Sequence, residues 1–243
     1  MSKDTIPTKT APPLEKKTTV GNYFVSNYPP FSFWKQEDIP DYRKALGHPP
    51  KPNTELGIYV HIPFCRKRCH FCYFRVYTDK DSKEIHNYID AVLSELRLYA
   101  KEHFIGGRKP KFVYFGGGTP SYLSESQLRE LTDGMKEILP WDEVEEVTFE
   151  CEPGTLREKK LQVLRDIGVT RLSLGVENFD DHILELNGRA HHGKEIVRAY
   201  EFAQGLGFPQ INIDLIAGMV EETEKNWKKC IERSREMAPD SVS

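Results

Sequence analysis

Three cysteines stand within eight positions of the stretch HIPFCRKRCHFC (61–72): Cys65, Cys69 and Cys72. Thiols this close can form a disulfide, hold a metal, or ligate an iron–sulfur cluster. The chain has five cysteines in all, the others being Cys151 and Cys230, and an odd number does not suit a disulfide framework. The N-terminus, MSKDTIPTKTAPPLEKKTT, lacks the apolar stretch of a secretory signal, which points to the cytoplasm, where thiols stay reduced. Structural zinc closes four ligands and usually pairs two knuckles; His61 or His70 could complete one knuckle, but no second one follows. Three thiolates on a single loop also suit an iron–sulfur cluster with one iron left open, and an open iron is a place for chemistry. Spacing alone leaves zinc and cluster both standing.

Other residues that could do chemistry are spread along the chain. Gly116, Gly117 and Gly118 open the run GGGTP (116–120); three glycines make a tight turn, and they also let backbone amides approach a ligand closely. Glu150, Glu152, Glu177 and Asp214 are acids at the ends of β-rich runs. Buried partnership with Arg or Lys is the ordinary role of such acids. Arg189, in LNGRAHH, is either a solvated arginine or the partner of one of these carboxylates. His61, His191 and His192 read as ordinary polar residues, and Cys151 and Cys230 as core thiols.

The elements that must position them recur regularly. β-rich runs at 57–64, 111–116, 146–152, 170–177 and 210–217 are each followed by a helical pattern, the signature of βα units and a parallel sheet. Ile85, Tyr88, Ile89, Val92, Leu96 and Tyr99 make the first helical stripe, with Asp81 and Glu84 placed as a capping box. Ser124 and Gln127 open the second helix, and Gly168 follows the third as a C′ residue. Gly205 and Gly207 close the fourth, while Trp227, Cys230 and Ile231 mark the fifth. The strands alternate: Val147, Phe149 and Cys151 with Thr148, Glu150 and Glu152; Leu172, Leu174 and Val176 with Arg171, Ser173 and Glu177; Ile211, Ile213 and Leu215 with Asn212 and Asp214. A sheet covered by helices on both faces should read as near-continuous apolar runs, so one polar face predicts a barrel or part-barrel with a binding cavity inside. The expected fold is therefore α/β, with all the chemistry at the C-terminal ends of parallel strands, where ligands bind in such folds. The closing APDSVS reads as the start of a sixth strand, which predicts a chain truncated at that point.

Composition supports a globular protein: 38% hydrophobic and 29% charged residues over 243 positions. A net charge of −3 gives no global reason to expect nucleic acid or an anionic membrane, and no window approaches the roughly 18 apolar residues of a membrane span. Residues 1–20 read as a disordered tail, 21–56 as an aromatic arm and 57–243 as the core. In the arm, Phe24, Tyr28, Phe31, Phe33 and Trp34 are expected to pack onto the core; a lid over an aromatic ligand is the alternative.

The pattern C-x3-C-x2-C, with an aromatic at Phe71 and GGGTP one strand later, resembles the signature of the radical S-adenosylmethionine superfamily. YVHIPFC, GVENF (175–179), LNGRAH and DLIAG (214–218) are similar to the oxygen-independent coproporphyrinogen III oxidase group, which includes heme chaperones and radical methyltransferases. The resemblance covers about residues 56–243 and implies a partial (β/α)6 barrel lacking the family's C-terminal domain. It implies an enzyme, oxidoreductase or methyltransferase, in which Cys65, Cys69 and Cys72 hold a 4Fe–4S cluster. One or two molecules of S-adenosylmethionine would bind, and cleavage of one yields a 5′-deoxyadenosyl radical that abstracts hydrogen from a small-molecule substrate. An electron donor such as flavodoxin or ferredoxin would be the partner. Carried over by match, Gly117, Gly118 and Thr119 meet the methionine part, Glu150 the ammonium, Arg189 the carboxylate, and Asp214 and Glu177 the ribose region. Tyr59 and Phe71 stand beside the cluster. Two departures matter: Glu177 replaces the family's usual glutamine, and Phe74 replaces the cysteine that the oxidases tend to carry after the trio. Both weaken the oxidase assignment, while CYFRVYTDK (72–80) and the aromatic N-terminal arm are similar to the methylating and cyclopropanating branch, so the expectation is methyl or methylene transfer to a cyclic or aromatic metabolite. Oxidation of coproporphyrinogen, or heme binding without turnover, is the alternative.

Overall fold

The computed structural model describes residues 33–243, and the chain divides into two units, Met1–Asp38 and Ile39–Ser243. Phe24, Tyr28 and Phe31 of the expected arm lie outside the described residues. Phe33 and Trp34 are described, and are 59% and 57% exposed.

The larger unit runs α1 (Ile39–Leu46), β1 (Leu56–Ile62), α2 (Ser82–Tyr99), β2 (Pro110–Gly117), α3 (Glu125–Ile138), β3 (Glu146–Cys151), α4 (Glu158–Asp166) and β4 (Arg171–Glu177). It continues with α5 (Asp181–Leu186), α6 (Gly193–Gly205), β5 (Gln210–Leu215), α7 (Glu224–Met237) and β6 (Ser241–Val242). The six strands form one open sheet in sequence order, every neighbouring pair parallel. APDSVS does begin a sixth strand, pairing Ser241 and Val242 with Asn212 and Ile213.

The alternation seen in the sequence becomes two faces. Val60, Ile62, Val113, Phe115, Val147, Phe149, Leu172, Leu174, Ile211 and Ile213 join one core with the stripes of α2, α3, α4 and α6. Cys151 lies in that core, and Cys230 of α7 is buried, as expected of core thiols. The opposite, inner face carries Tyr59, Tyr114, Thr148, Glu150, Ser173, Asn212 and Asp214, which the strand register places side by side. Among the described residues the helices therefore pack on the apolar face, and the opposite, polar face is the one suited to a ligand.

Helix ends follow the sequence closely. Asp81–Glu84 and Ser124–Gln127 both form reciprocal capping boxes. Gly168, at φ +97°, is the left-handed residue after α4. After α6 that role falls to Gly207 at φ +66°, whereas Gly205 is still helical. Ile231 does not belong to the inward stripe of α7: it is 41% exposed, and Cys230 and Ser234 are the buried pair. The short helix α5 was not anticipated, because six residues are too few to show a 3.6-residue period. Residues 39–46, expected in the arm, form α1, whose Tyr42 hydroxyl bonds that of Tyr99 at 2.7 Å. Among the described residues no helix is long and apolar enough to cross a membrane.

Candidate active site

The cysteine loop leaves β1 at Pro63 and returns at Tyr77, where Cys65 N donates to Tyr77 O (3.0 Å) and Tyr77 N to Pro63 O (2.8 Å). That neck closes a loop carrying all three clustered thiols, none of them in a disulfide. Three neighbours pin it. Gly118 N and Thr119 N, from the glycine run, donate to Ile62 O and Phe64 O, both at 2.8 Å. His70 donates from N to Asn187 O (3.0 Å) and from Nδ1 to Leu186 O (2.9 Å), docking the loop on the end of α5. Arg66 bridges Glu152 and Ala190 O. A Cβ on Gly118 would stand 2.9 Å from Cys65 Sγ and about as close to two carbonyls, so only glycine lets this strand end lie against the thiol. Thr119 Oγ1 donates to Cys65 Sγ at 3.3 Å.

Burial pushes the Cys65 thiol up to about 11 and raises that of Cys72. Such thiols become thiolates only with positive charge beside them, which a metal centre supplies. Among the described residues no three His, Cys, Asp or Glu side chains gather tightly enough to hold a single metal ion.

Across the mouth stand three acids. Glu150 accepts from Tyr114 OH (2.7 Å) and from Gly117 N (3.1 Å), and burial still raises it above the usual carboxylate range. Asp214 accepts from Ser173 Oγ and Asn212 Nδ2, each at 2.8 Å, and is likewise raised by burial. Glu177 is raised to about 7, first by burial and then by Asp214 and Glu150, against the pull of Arg189. Three desolvated carboxylates at one mouth, with Asp214 raising both Glu150 and Glu177, suit a positively charged ligand.

Arg189 meets both halves of the site. Its Nη1 donates to Cys69 Sγ (3.3 Å) and its Nη2 to Gly175 O (2.8 Å), with Glu177 Oε1 3.5 Å away. Its Nε is buried without a partner. The loop after α5 aims it: Gly188 at φ +78° and Arg189 close the helix through bonds to Glu185 O and Leu184 O, a Schellman arrangement.

The glycine loop, Glu150, Glu177, Arg189 and the cysteine loop are thus brought together as expected. Asp214 belongs to the same face but is spent on a network with Ser173 and Asn212. Tyr59 is 55% exposed, stacks on Tyr114 (5.9 Å between rings) and bonds His61 Nδ1 at 3.1 Å. Phe71 is half-buried within the loop. Glu152, read as a mouth acid, instead holds Arg66 behind the loop. Two contributors were missed: Tyr114, whose place one residue pair before the glycines on the Glu150 face was the available signal, and Arg66, which has none beyond adjacency to Cys65. Of the histidines set aside, His191 is fully buried and held neutral: burial, then Arg189, lowers it to about 3.

The Radical SAM superfamily model matches residues 59–233. This chain belongs to the radical SAM superfamily. Among curated relatives, the heme chaperone HemW of Bacillus subtilis (strain 168) is 38% identical over 175 residues, covering 71% of this chain and 45% of that protein. The oxygen-independent coproporphyrinogen III oxidase of Escherichia coli (strain K12) is 31% identical over 192 residues, covering 79% and 42%. The chain therefore spans less than half the length of these relatives. The solved structure of E. coli coproporphyrinogen III oxidase (HemN), described as a radical SAM enzyme, matches with TM-score 0.74 and 30% identity over 87% of this chain and 48% of that one. The radical S-adenosylmethionine methyltransferase TsrM of Kitasatospora setae, at 14% identity and TM-score 0.57, shares the fold alone. The six-stranded parallel sheet is accordingly a partial radical-SAM barrel. The relatives' names support the alternative expected above and give no support to methyl or methylene transfer.

Radical SAM proteins use a 4Fe–4S cluster and S-adenosylmethionine, and the residues here fit both. The loop offers three thiols, of which Cys65 and Cys72 are raised by burial and ionise against a metal centre, Gly118 lets the glycine run lie directly against Cys65, and the orphaned Arg189 Nε awaits an anion.

Proposed function

We propose that this chain is the cluster- and cofactor-binding core of a tetrapyrrole-handling protein, a heme chaperone in the first instance. Cys65, Cys69 and Cys72 hold the cluster. Bound together, cluster and S-adenosylmethionine supply reductive radical chemistry. Glu150, fixed by Tyr114 and Gly117, takes the cofactor's ammonium; Gly117, Gly118 and Thr119 line its methionine part; Arg189 offers Nε to its carboxylate. Glu177 and Asp214 stand toward its ribose region, and Tyr59 and Phe71 border the cluster. The observation that carries the reading is the gathering of thiols, acids and Arg189 at one sheet end. An electron donor such as flavodoxin or ferredoxin completes the system.

The heme-chaperone assignment rests on the 38% identity with HemW and on Phe74, whose ring lies 5.7 Å from that of His61 where an oxidase would tend to place a further cysteine. Coproporphyrinogen oxidation is the second reading, favoured by the match to HemN. Anaerobic reconstitution followed by electron paramagnetic resonance, with and without S-adenosylmethionine, tests the core: a 4Fe–4S signal that changes with the cofactor is expected, and an indifferent signal rejects it. Stoichiometric heme binding without decarboxylation of coproporphyrinogen selects the chaperone; decarboxylation selects the oxidase.

A further inference from the structure

Strand β4 does not end regularly. Its register with β5 slips between Gly175 and Glu177, so Val176 is an extra residue, and Glu177 adopts φ +64°. A bulge re-aims the side chains beyond it, and a left-handed conformation is unfavourable for glutamate, so both point to a side chain required in one direction. That direction is Arg189, 3.5 Å away, each side chain only 12% exposed. Gly175 makes the meeting fit: a Cβ there would lie 2.9 Å from Glu177 Oε1 and 3.1 Å from Arg189 Nη2. Arg189 in turn reaches Cys69 Sγ, and neither of the other two sulfurs of the trio accepts from a charged side chain; Arg68 reaches Cys72 only at its carbonyl oxygen.

We propose that Glu177 and Arg189 form a positioning pair that tunes the reduction potential of the cluster through its Cys69 sulfur, an inference that rests on the cluster-binding reading above. Hydrogen bonds and charge at the ligating sulfurs are the protein's main levers on such potentials. A cationic donor at Cys69 favours the electron-rich reduced state and raises the potential; the Glu177 carboxylate acts on the guanidinium, drawing it away from the sulfur and fixing the angle from which it approaches.

The test is a redox titration of the anaerobically reconstituted chain without S-adenosylmethionine, read by electron paramagnetic resonance at pH 8.5, where Glu177 is ionised. Arg189→Gln is expected to lower the potential, and Glu177→Gln to raise it, each by about tenfold in the reduced-to-oxidised ratio at fixed potential, about 59 mV for one electron. In the Arg189→Gln background, Glu177→Gln should change little, because its effect passes through the arginine. If Arg189→Gln does not keep its iron, Arg189→Lys decides: it retains charge but not the fork, and should lower the potential by less. Unchanged potentials in variants with full iron and sulfide overturn the inference while leaving the cluster-binding reading intact. So does a Glu177→Gln shift that persists without Arg189. Failure of the unaltered chain to take up a 4Fe–4S cluster overturns the reading and the inference together.

Discussion

A carboxylate against a poorly solvated wall loses its charge unless donors hold it, and Glu150 feels both influences. Burial raises it, while Tyr114 and Gly117 pull it back. Tyr114→Phe removes the stronger of those two contacts. It should weaken S-adenosylmethionine binding by at least about tenfold, from the roughly 1.5 kcal/mol at the low end for one hydrogen bond to a charged group, at unchanged iron content. Equilibrium dialysis on the reconstituted chain measures it. His191 makes the opposite statement. Its Nε2 faces Val176 O at 3.3 Å and its ring stays neutral. Its folded value, about 3, lies below the unfolded 6.5, so between those values the unfolded chain binds a proton that the folded chain refuses. Stability should therefore fall as pH drops from 6.5 toward 3, by up to about 1.4 kcal/mol per pH unit. Urea midpoints of wild type and His191→Gln, compared at pH 7 and 5, should show the smaller loss in the variant.

At the scale of elements, two glycines separate structural from functional demands. Gly168 ends α4 at φ +97° with open space around its missing Cβ. Gly168→Ala should cost about 1 kcal/mol by forcing a side chain into the left-handed region, and should leave iron loading untouched. Gly118 carries no such backbone demand, yet its Cβ would press on Cys65 Sγ and on the carbonyls of Ile62 and Phe64. Gly118→Ala should lose most of its iron by displacing the cysteine loop. Iron per chain and urea unfolding of the two variants distinguish the roles. Helix starts obey simpler rules: Ser124→Ala should destabilise by about 1 kcal/mol through loss of its cap on Gln127 N, with iron unaffected.

At the scale of the whole molecule, the main core of the described residues lies between the outer face of the sheet and its helices, with a small satellite of Leu56, Ile105 and Leu139, and Phe149 is fully buried in the main core. Phe149→Ala should cost about 3–5 kcal/mol, and the cofactor site, fixed to the same strand through Glu150, should loosen with it. Apolar residues, caps and turn glycines act locally and in sequence order, so the βα rhythm, both capping boxes, Gly168 and the two-faced strands were all legible before any coordinates. The helix α5 was not, since six residues hold too little periodicity to be seen, and it is the element that docks His70 and launches Arg189.

The sequence by itself determined which chemistry was available: three thiols on one loop, a glycine run beside them, and acids alternating onto one face of parallel strands. It also determined that this face would be left without helices, because its side chains are too polar to be buried against them. Only the tertiary structure decided who meets whom. Arg189 lies 120 positions from Cys69 and 12 from Glu177, and nothing in spacing joins them. They meet because a Schellman turn after α5 and a bulge at the end of β4 aim two side chains at one point. Such aiming depends on φ values and register, which the residue types permit without specifying. The same holds for Glu152, read as a mouth acid and found holding Arg66: strand parity ends where the strand does, and past Cys151 the chain turns with the loop that follows.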